Sequence, residues 1–278
     1  MNTKRMAAII KKDVSSVTSS AQMWLPMIIV PLIFIIIIPL AITLIARNIN
    51  FGEINNAGQV EKYLLNIPLP ELKNELAAFP DLMQKAVYIF SNYLFAPMFL
   101  MVPVMVSAII ASNSFAGEKE KKTLESLLYT PVSEKELFFS KVSAAFLPAI
   151  AVALAGFVLY GAILDIFGYP IFGRLFFPSW NWLPFMVLLV PAISILSIGA
   201  TVIVSARVKG FAEAQQISAL IVLPILLMVF SQIFGLFFLS PLVCAVAGII
   251  LLAVDYFLIA KAAGSFNREK LLKNYAGN

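Results

Sequence analysis

The chain has 278 residues, 61% of them apolar and only 13% charged, against roughly 45–50% and about 25% in soluble domains, so its natural unit is the bilayer crossing. The net charge is +5, histidine is absent and Cys244 is the sole cysteine; this excludes histidine-based catalysis, zinc sites of the His-x-x-x-His type and any internal disulfide. The dipeptide Gly-Lys does not occur, which removes the P-loop, so that any energy the chain needs must be supplied by a partner.

In chain order, Met6, Ile9, Ile10, Val14 and Val17 fall at helical spacing in residues 1–23, with Lys4, Arg5, Lys11 and Lys12 placed for lipid headgroups. This reads as an interfacial amphipathic helix or, with equal weight, as a basic tail that only sets topology. The first charge-free block, 24–46, spans roughly 34 Å as a helix and is too long for a signal-peptide core. Residues 47–92 are polar, with helix starts at Pro70 and after Pro80; they are expected to form an external helical cap. The second span is expected at 93–111.

The segment 113–141 follows. Its charged run Glu118 to Lys122 passes into Leu124, Leu127 and Leu128, a short helix with one narrow apolar stripe. Thr130-Pro131 breaks it, and Ser133 three residues before Glu136 is a capping-box pattern that starts a helix able to run into the third span, 142–164. The aromatic stretch Tyr169 to Trp182 is expected in the outer headgroup layer, and the fourth span at 183–206. From Ile217 to Ala260 a single charge, Asp255, interrupts an apolar block of roughly 66 Å as one helix, twice the bilayer core, so the block must fold back. Glycine, serine and proline near Gly235 to Pro241 mark the reversal, giving spans at 217–238 and 241–260 before a tail, 261–278.

Six spans place both termini on one side. Fifteen of the twenty basic residues then lie on that side, which identifies it as cytoplasmic. The net charge is thereby a topology signal and calls for no nucleic acid. Asp255 is a costly intramembrane carboxylate; with Lys261 only six residues away it is expected to reach the interface or an interhelical hydrogen bond, with ion coordination the lesser reading. Ser197 and Thr201, with Ser205, line one face of the fourth span, a pattern for close helix packing ahead of a cargo path. Prolines 26, 31, 39, 97, 103, 148, 191 and 224 mark bending points.

The series Gly117-Glu118-Lys119-Glu120, Thr123-Leu124-Glu125-Ser126-Leu127-Leu128, Thr130-Pro131-Val132-Ser133 and Glu136-Leu137 with Lys141 resembles the intracellular loop of ABC-2-type transporter permeases, in the branch of sodium-exporter-like and peptide- or drug-exporting members. The resemblance implies an all-α membrane protein of type V exporter architecture, with the N-terminal interfacial helix, six transmembrane helices and a cytoplasmic coupling helix in a single domain. It implies a prokaryotic plasma-membrane location among lipid, a second permease, identical or related, and two ATP-binding subunits. No cofactor is expected in this chain, ATP and Mg belonging to the partner. In the coupling role Glu118, Glu120, Lys121, Lys122, Thr123 and Glu125 would make polar contacts with the ATPase, while Leu124, Leu127 and Leu128 would seat the helix in its cleft. The scarcity of buried charge points to an amphipathic or hydrophobic exported cargo such as a peptide, antimicrobial or drug, with sodium, lipid or polysaccharide as alternatives within the family. A secondary transporter would need ionisable groups and repeats at mid-membrane, and a membrane enzyme would need clustered carboxylates; neither pattern is present.

Overall fold

The computed structural model describes residues 3–48, 69–123 and 132–265, and among them the regular structure is entirely helical. Six helices are long and apolar enough to cross a membrane: span 1 (Ala21–Asn48), span 2 (Ala96–Glu120), span 3 (Glu134–Phe172), span 4 (Trp182–Ser205), span 5 (Phe211–Ile233) and span 6 (Pro241–Ala263). An N-terminal helix (Thr3–Thr18) precedes them. Extended backbone at Ser20 separates it from span 1. Two short cap helices (Pro70–Ala77 and Leu82–Ile89) lie between spans 1 and 2.

Span 2 is the hub. Nearly all of its apolar stretch is buried, whereas spans 1 and 6 bury less than a fifth of theirs. That enclosure explains why span 2 tolerates Ser107, Ser112, Asn113 and Ser114, all buried in protein, while span 1 turns Leu25, Ile28, Ile29, Ile33 and Ile45 outward as lipid-facing residues must be. Spans 3 and 4 pack on span 2, span 1 packs on span 3, and span 6 packs on span 4. The last contact needs Gly199, because a Cβ there would stand 1.7 Å from Leu258 Cδ2. Proline leaves its mark as wide π turns: Leu32–Ile37 follows Pro31, Phe90–Leu94 precedes Pro97, and Phe185–Leu189 precedes Pro191. A missing N–H and the ring's clash with the preceding turn are absorbed by this local widening. Pro148, by contrast, sits in uninterrupted α-helix.

Span 3 is much longer than its charge-free block. The Ser133 hydroxyl accepts from the Glu136 N–H at 3.2 Å while the Glu136 carboxylate accepts from the Ser133 N–H at 3.3 Å, so the capping box forms and the helix runs from there into the span. Its far end reaches Phe172, beyond which Gly173 takes a left-handed conformation, φ +64°. Asp165 accepts from the Phe176 and Phe177 N–H groups at 3.0 and 3.1 Å, folding the following loop back on the helix. Span 5 also starts early, at Phe211. Its reversal into span 6 uses Gly235 at φ +70°, in the stretch where the turn is expected.

The two ends of the bundle differ. At the end bearing the cap helices, the aromatic stretch departs from its expected place in the headgroup layer: Phe172, Phe176, Phe177 and Trp182 are buried, Trp182 to 1% exposure, and only Tyr169 and Trp180 of the large rings stay outside. Phe95 stacks on Tyr160 at 4.8 Å, and Trp182 meets Phe99 and Phe185 edge-on at 5.5 and 5.1 Å. Buried amides close the same end, Asn92 accepting from the Ser179 N–H at 3.0 Å and Asn181 donating to the Asn92 carbonyl at 3.1 Å. Glu75 of the first cap helix accepts from the Tyr88 and Tyr93 hydroxyls, and Gln84 of the second donates to the Ile171 carbonyl at the end of span 3. Burial and the Glu75 charge push the Tyr88 hydroxyl above its ordinary range.

Candidate functional site

At the opposite end the N-terminal helix lies along the start of span 3 and the end of span 2. Its buried face reads Ile9, Asp13, Val17 at steps of four, so one position of an apolar stripe is acidic. Asp13 is 2% exposed, and it meets Lys141 of span 3, which is fully buried, with Nζ to Oδ2 at 3.8 Å. Lys141 Nζ also donates to the Glu118 carboxylate and to the Ser114 carbonyl, both at 2.5 Å, beneath the ring of Phe115 at 5.4 Å. Lys12 adds the second cation, pairing with Glu118 and lying 3.7 Å from Asp13. Two carboxylates and two ammonium groups thus compensate one another, as buried charges must. Burial pushes the Asp13 carboxyl up; Lys141 pulls it back, and Glu118 adds to the rise.

The geometry depends on a π turn, Asn113–Gly117, just before Glu118. This turn carries Ser114, the carbonyl partner of Lys141, and Asn113, whose amide donates to the Ser16 hydroxyl at 3.2 Å. The next three residues each bond a different element. Glu118 holds span 3 and the N-terminal helix, as above. Lys119 donates to the Val208 carbonyl in the loop between spans 4 and 5 at 3.0 Å, and Glu120 accepts from the Phe211 N–H at 2.9 Å. A carboxylate at the start of span 5 meets both a free N–H and the positive end of the helix dipole. Gly210 makes room for it, since a Cβ there would lie 2.4 Å from Glu120 Oε2.

The residues expected in the coupling role therefore separate. Glu118 is only 6% exposed and spends its carboxylate inside the chain, so its geometry departs from an outward contact. Glu120, Lys121, Lys122 and Thr123 are exposed, with Glu120 engaged at span 5. The Thr123 N–H closes the helix end on the Glu118 carbonyl at 3.0 Å, and Lys122 takes a left-handed φ of +55°. Leu124, Glu125, Leu127 and Leu128 lie outside the described residues. Sequence reasoning gave no role to Asp13, placed Lys12 at lipid headgroups and took Lys141 only as part of the loop motif; the structure instead turns Lys12 onto Glu118 and Asp13, and the available signal was the acidic residue inside the stripe Ile9, Asp13, Val17.

The intramembrane polar residues do not form one site. Ser197 is buried and donates to the Val104 carbonyl of span 2 at 3.2 Å, an interhelical bond, and Thr201 is buried beside it on span 4. Asp255 lines a separate cavity among spans 3, 4 and 6 that neither of them lines. The hydrogen bond expected for Asp255 is absent: both carboxylate oxygens are buried without a partner among the described residues. The reason is geometric, as most of its neighbours in the cavity wall are apolar, Val142, Phe146 and Ile195 among them, and the hydroxyls of Ser143 and Tyr256 make no bond to it.

A family model described as ABC-2 family transporter protein matches residues 7–262. No curated protein and no solved structure matches the chain.

Proposed function

Since the chain belongs to the ABC-2 transporter family, we propose that it is the permease subunit of an ATP-driven exporter, coupled to a separate ATP-binding subunit through the segment between spans 2 and 3. Both termini lie in the cytoplasm and the membrane is the plasma membrane of a prokaryote. A second permease, identical or related, completes the pathway, and ATP and Mg are held by the partner. The cargo is amphipathic or hydrophobic.

One observation carries the coupling reading. The short segment Glu118 to Glu120 bonds the N-terminal helix, span 3, the loop between spans 4 and 5, and the start of span 5, while Lys121, Lys122 and Thr123 directly after it face outward. A push on the outward residues by a closing ATPase dimer is therefore delivered to four elements together. The ion cluster makes that delivery stiff, because separating Lys141 from its carboxylates would strand buried charge. The outward residues Lys121, Lys122 and Thr123 meet the ATPase, Leu124, Glu125, Leu127 and Leu128 keep the contact roles that the family resemblance gives them, and Glu118 acts from behind.

The test is mild-detergent purification of the tagged chain from its native membrane, with mass spectrometry of the proteins that accompany it. The wild type is expected to bring a P-loop ATPase, and Leu124→Asp/Leu127→Asp to lose it while inserting normally. Absence of any ATPase with the wild type, under conditions that keep other membrane complexes together, would sink the reading.

A further inference from the structure

The cavity lined by Asp255 has a volume of about 470 Å³ and lies among spans 3, 4 and 6, in the size range of small-molecule sites. Phe139, Val142 and Phe146 form its wall on span 3, Ile195 on span 4 and Tyr256 on span 6; Asp255 is the acidic residue among them. Its side chain is 2% exposed, and neither a hydrogen-bond donor nor a counter-charge reaches either oxygen among the described residues. Lys141 belongs to the same turns of span 3 but looks the other way, into its own carboxylates. The wall positions 139, 142, 143 and 146 repeat at helical spacing on one face, and residue 141 falls on the opposite one.

A carboxylate so placed is satisfied by a proton or by a positive group, and no cation among the described residues reaches it. A bare metal ion does not fit, because sodium, calcium or magnesium requires several oxygen ligands and the wall offers, beside Asp255, only the side chains of Ser143 and Tyr256 as oxygen donors. An alkylammonium fits on both counts. Its charge is satisfied by a single carboxylate with aromatic faces nearby, and its hydrocarbon body matches the apolar wall.

We propose that this cavity binds a monocationic amphiphile, the Asp255 carboxylate turning out of its buried position to meet the ammonium group and the hydrocarbon body lying along Phe139, Phe146 and Tyr256, and that such cations are the cargo class of the transporter. Only the word cargo rests on the transport reading. Binding is a property of this chain and is measured without the ATPase, so either claim can fail while the other stands.

The experiment uses the full chain in phosphatidylglycerol nanodiscs and radiolabelled dodecyltrimethylammonium, with dodecanol as the uncharged comparator. Wild type is expected to bind the cation saturably at one site per chain, D255N at least about tenfold more weakly and D255E close to wild type, because the attraction depends on the carboxylate. Ile195→Trp, which keeps the charge but intrudes on the cavity beside Asp255, is expected to weaken saturable binding at least about tenfold, and it answers the question if D255N fails to fold. Displacement of the probe when lysyl-phosphatidylglycerol, a lipid of net charge +1, is added supports the ammonium site and identifies a lipid headgroup as its source; no displacement supports it with a soluble amphiphile as source. Equal binding by wild type and D255N, or equal saturable binding of dodecanol and the cation, would overturn the proposal.

Discussion

The two faces of span 3 at its starting turns handle acidic charge in opposite ways. On one face Asp13 and Glu118 are matched by Lys141 and Lys12, and on the other Asp255 is matched by nothing among the described residues. All three carboxylates are nearly inaccessible, so burial alone does not separate them. Compensation does: a buried carboxylate with its cation joins helices, whereas one without it carries a desolvation cost that nothing in the fold offsets.

The contrast is broken most severely at Lys141. Replacing it by Met leaves the two carboxylates with only the half-exposed Lys12 beside them, and the expected loss is about 3–5 kcal/mol of stability. Thermal unfolding in detergent reads this, and the triple variant K141M/E118Q/D13N is expected to recover most of the loss. A K141M protein as stable as wild type would mean that the cluster fastens nothing.

Asp255 should respond with the opposite sign. Removing a polar group that has no partner takes away a desolvation cost, so Asp255→Leu is expected to gain about 1–2 kcal/mol in the same assay. A loss of similar size would reveal a partner and erase the distinction between the two faces.

The smallest effect sharpens the comparison from within the cluster. Burial raises the Asp13 carboxyl above its ordinary 3.8, so between that value and the raised one the folded chain holds a proton that the unfolded chain has released. The Asp13 contribution is therefore full below pH about 3.8 and falls as pH rises through the folded value. Subtracting D13N from wild type across a pH series isolates it. The difference should decline with rising pH, and at neutral pH D13N is expected to cost less than about 1 kcal/mol, because Glu118 still holds Lys141. A difference that grows with pH would show that the Lys141 attraction outweighs burial.

Local features were legible wherever one helix decides them. The charge-free blocks marked six spans, Ser133 and Glu136 marked the start of span 3, Pro70 and Pro80 marked the cap helices, and the Gly235 to Pro241 stretch marked the last reversal; in each the relevant physics acts over a few residues of one segment. The inward turn of Glu118 was not legible. A run such as Glu118 to Lys122 has the composition of a solvated face, and only span 3 and the N-terminal helix, distant in sequence, make its first member internal. The same holds for Lys141 against Lys135, two lysines in the opening turns of one helix, of which Lys141 is fully buried. Phe176, Phe177 and Trp182 were misplaced for a related reason, since aromatic residues suit a headgroup layer and a packed core equally until the fold of the loop is known.

By itself the sequence determined the membrane class and the number of segments long and apolar enough to cross, because solvation by lipid constrains every apolar block regardless of its neighbours. Which charges would be paired was left to the tertiary structure. Ion pairs and cavities are made between helices, and a hydrophobic pattern records only that a face is covered, never by what. The packing of the spans therefore decided that Lys141 would be a fastener and that Asp255 would be buried without a partner among the described residues.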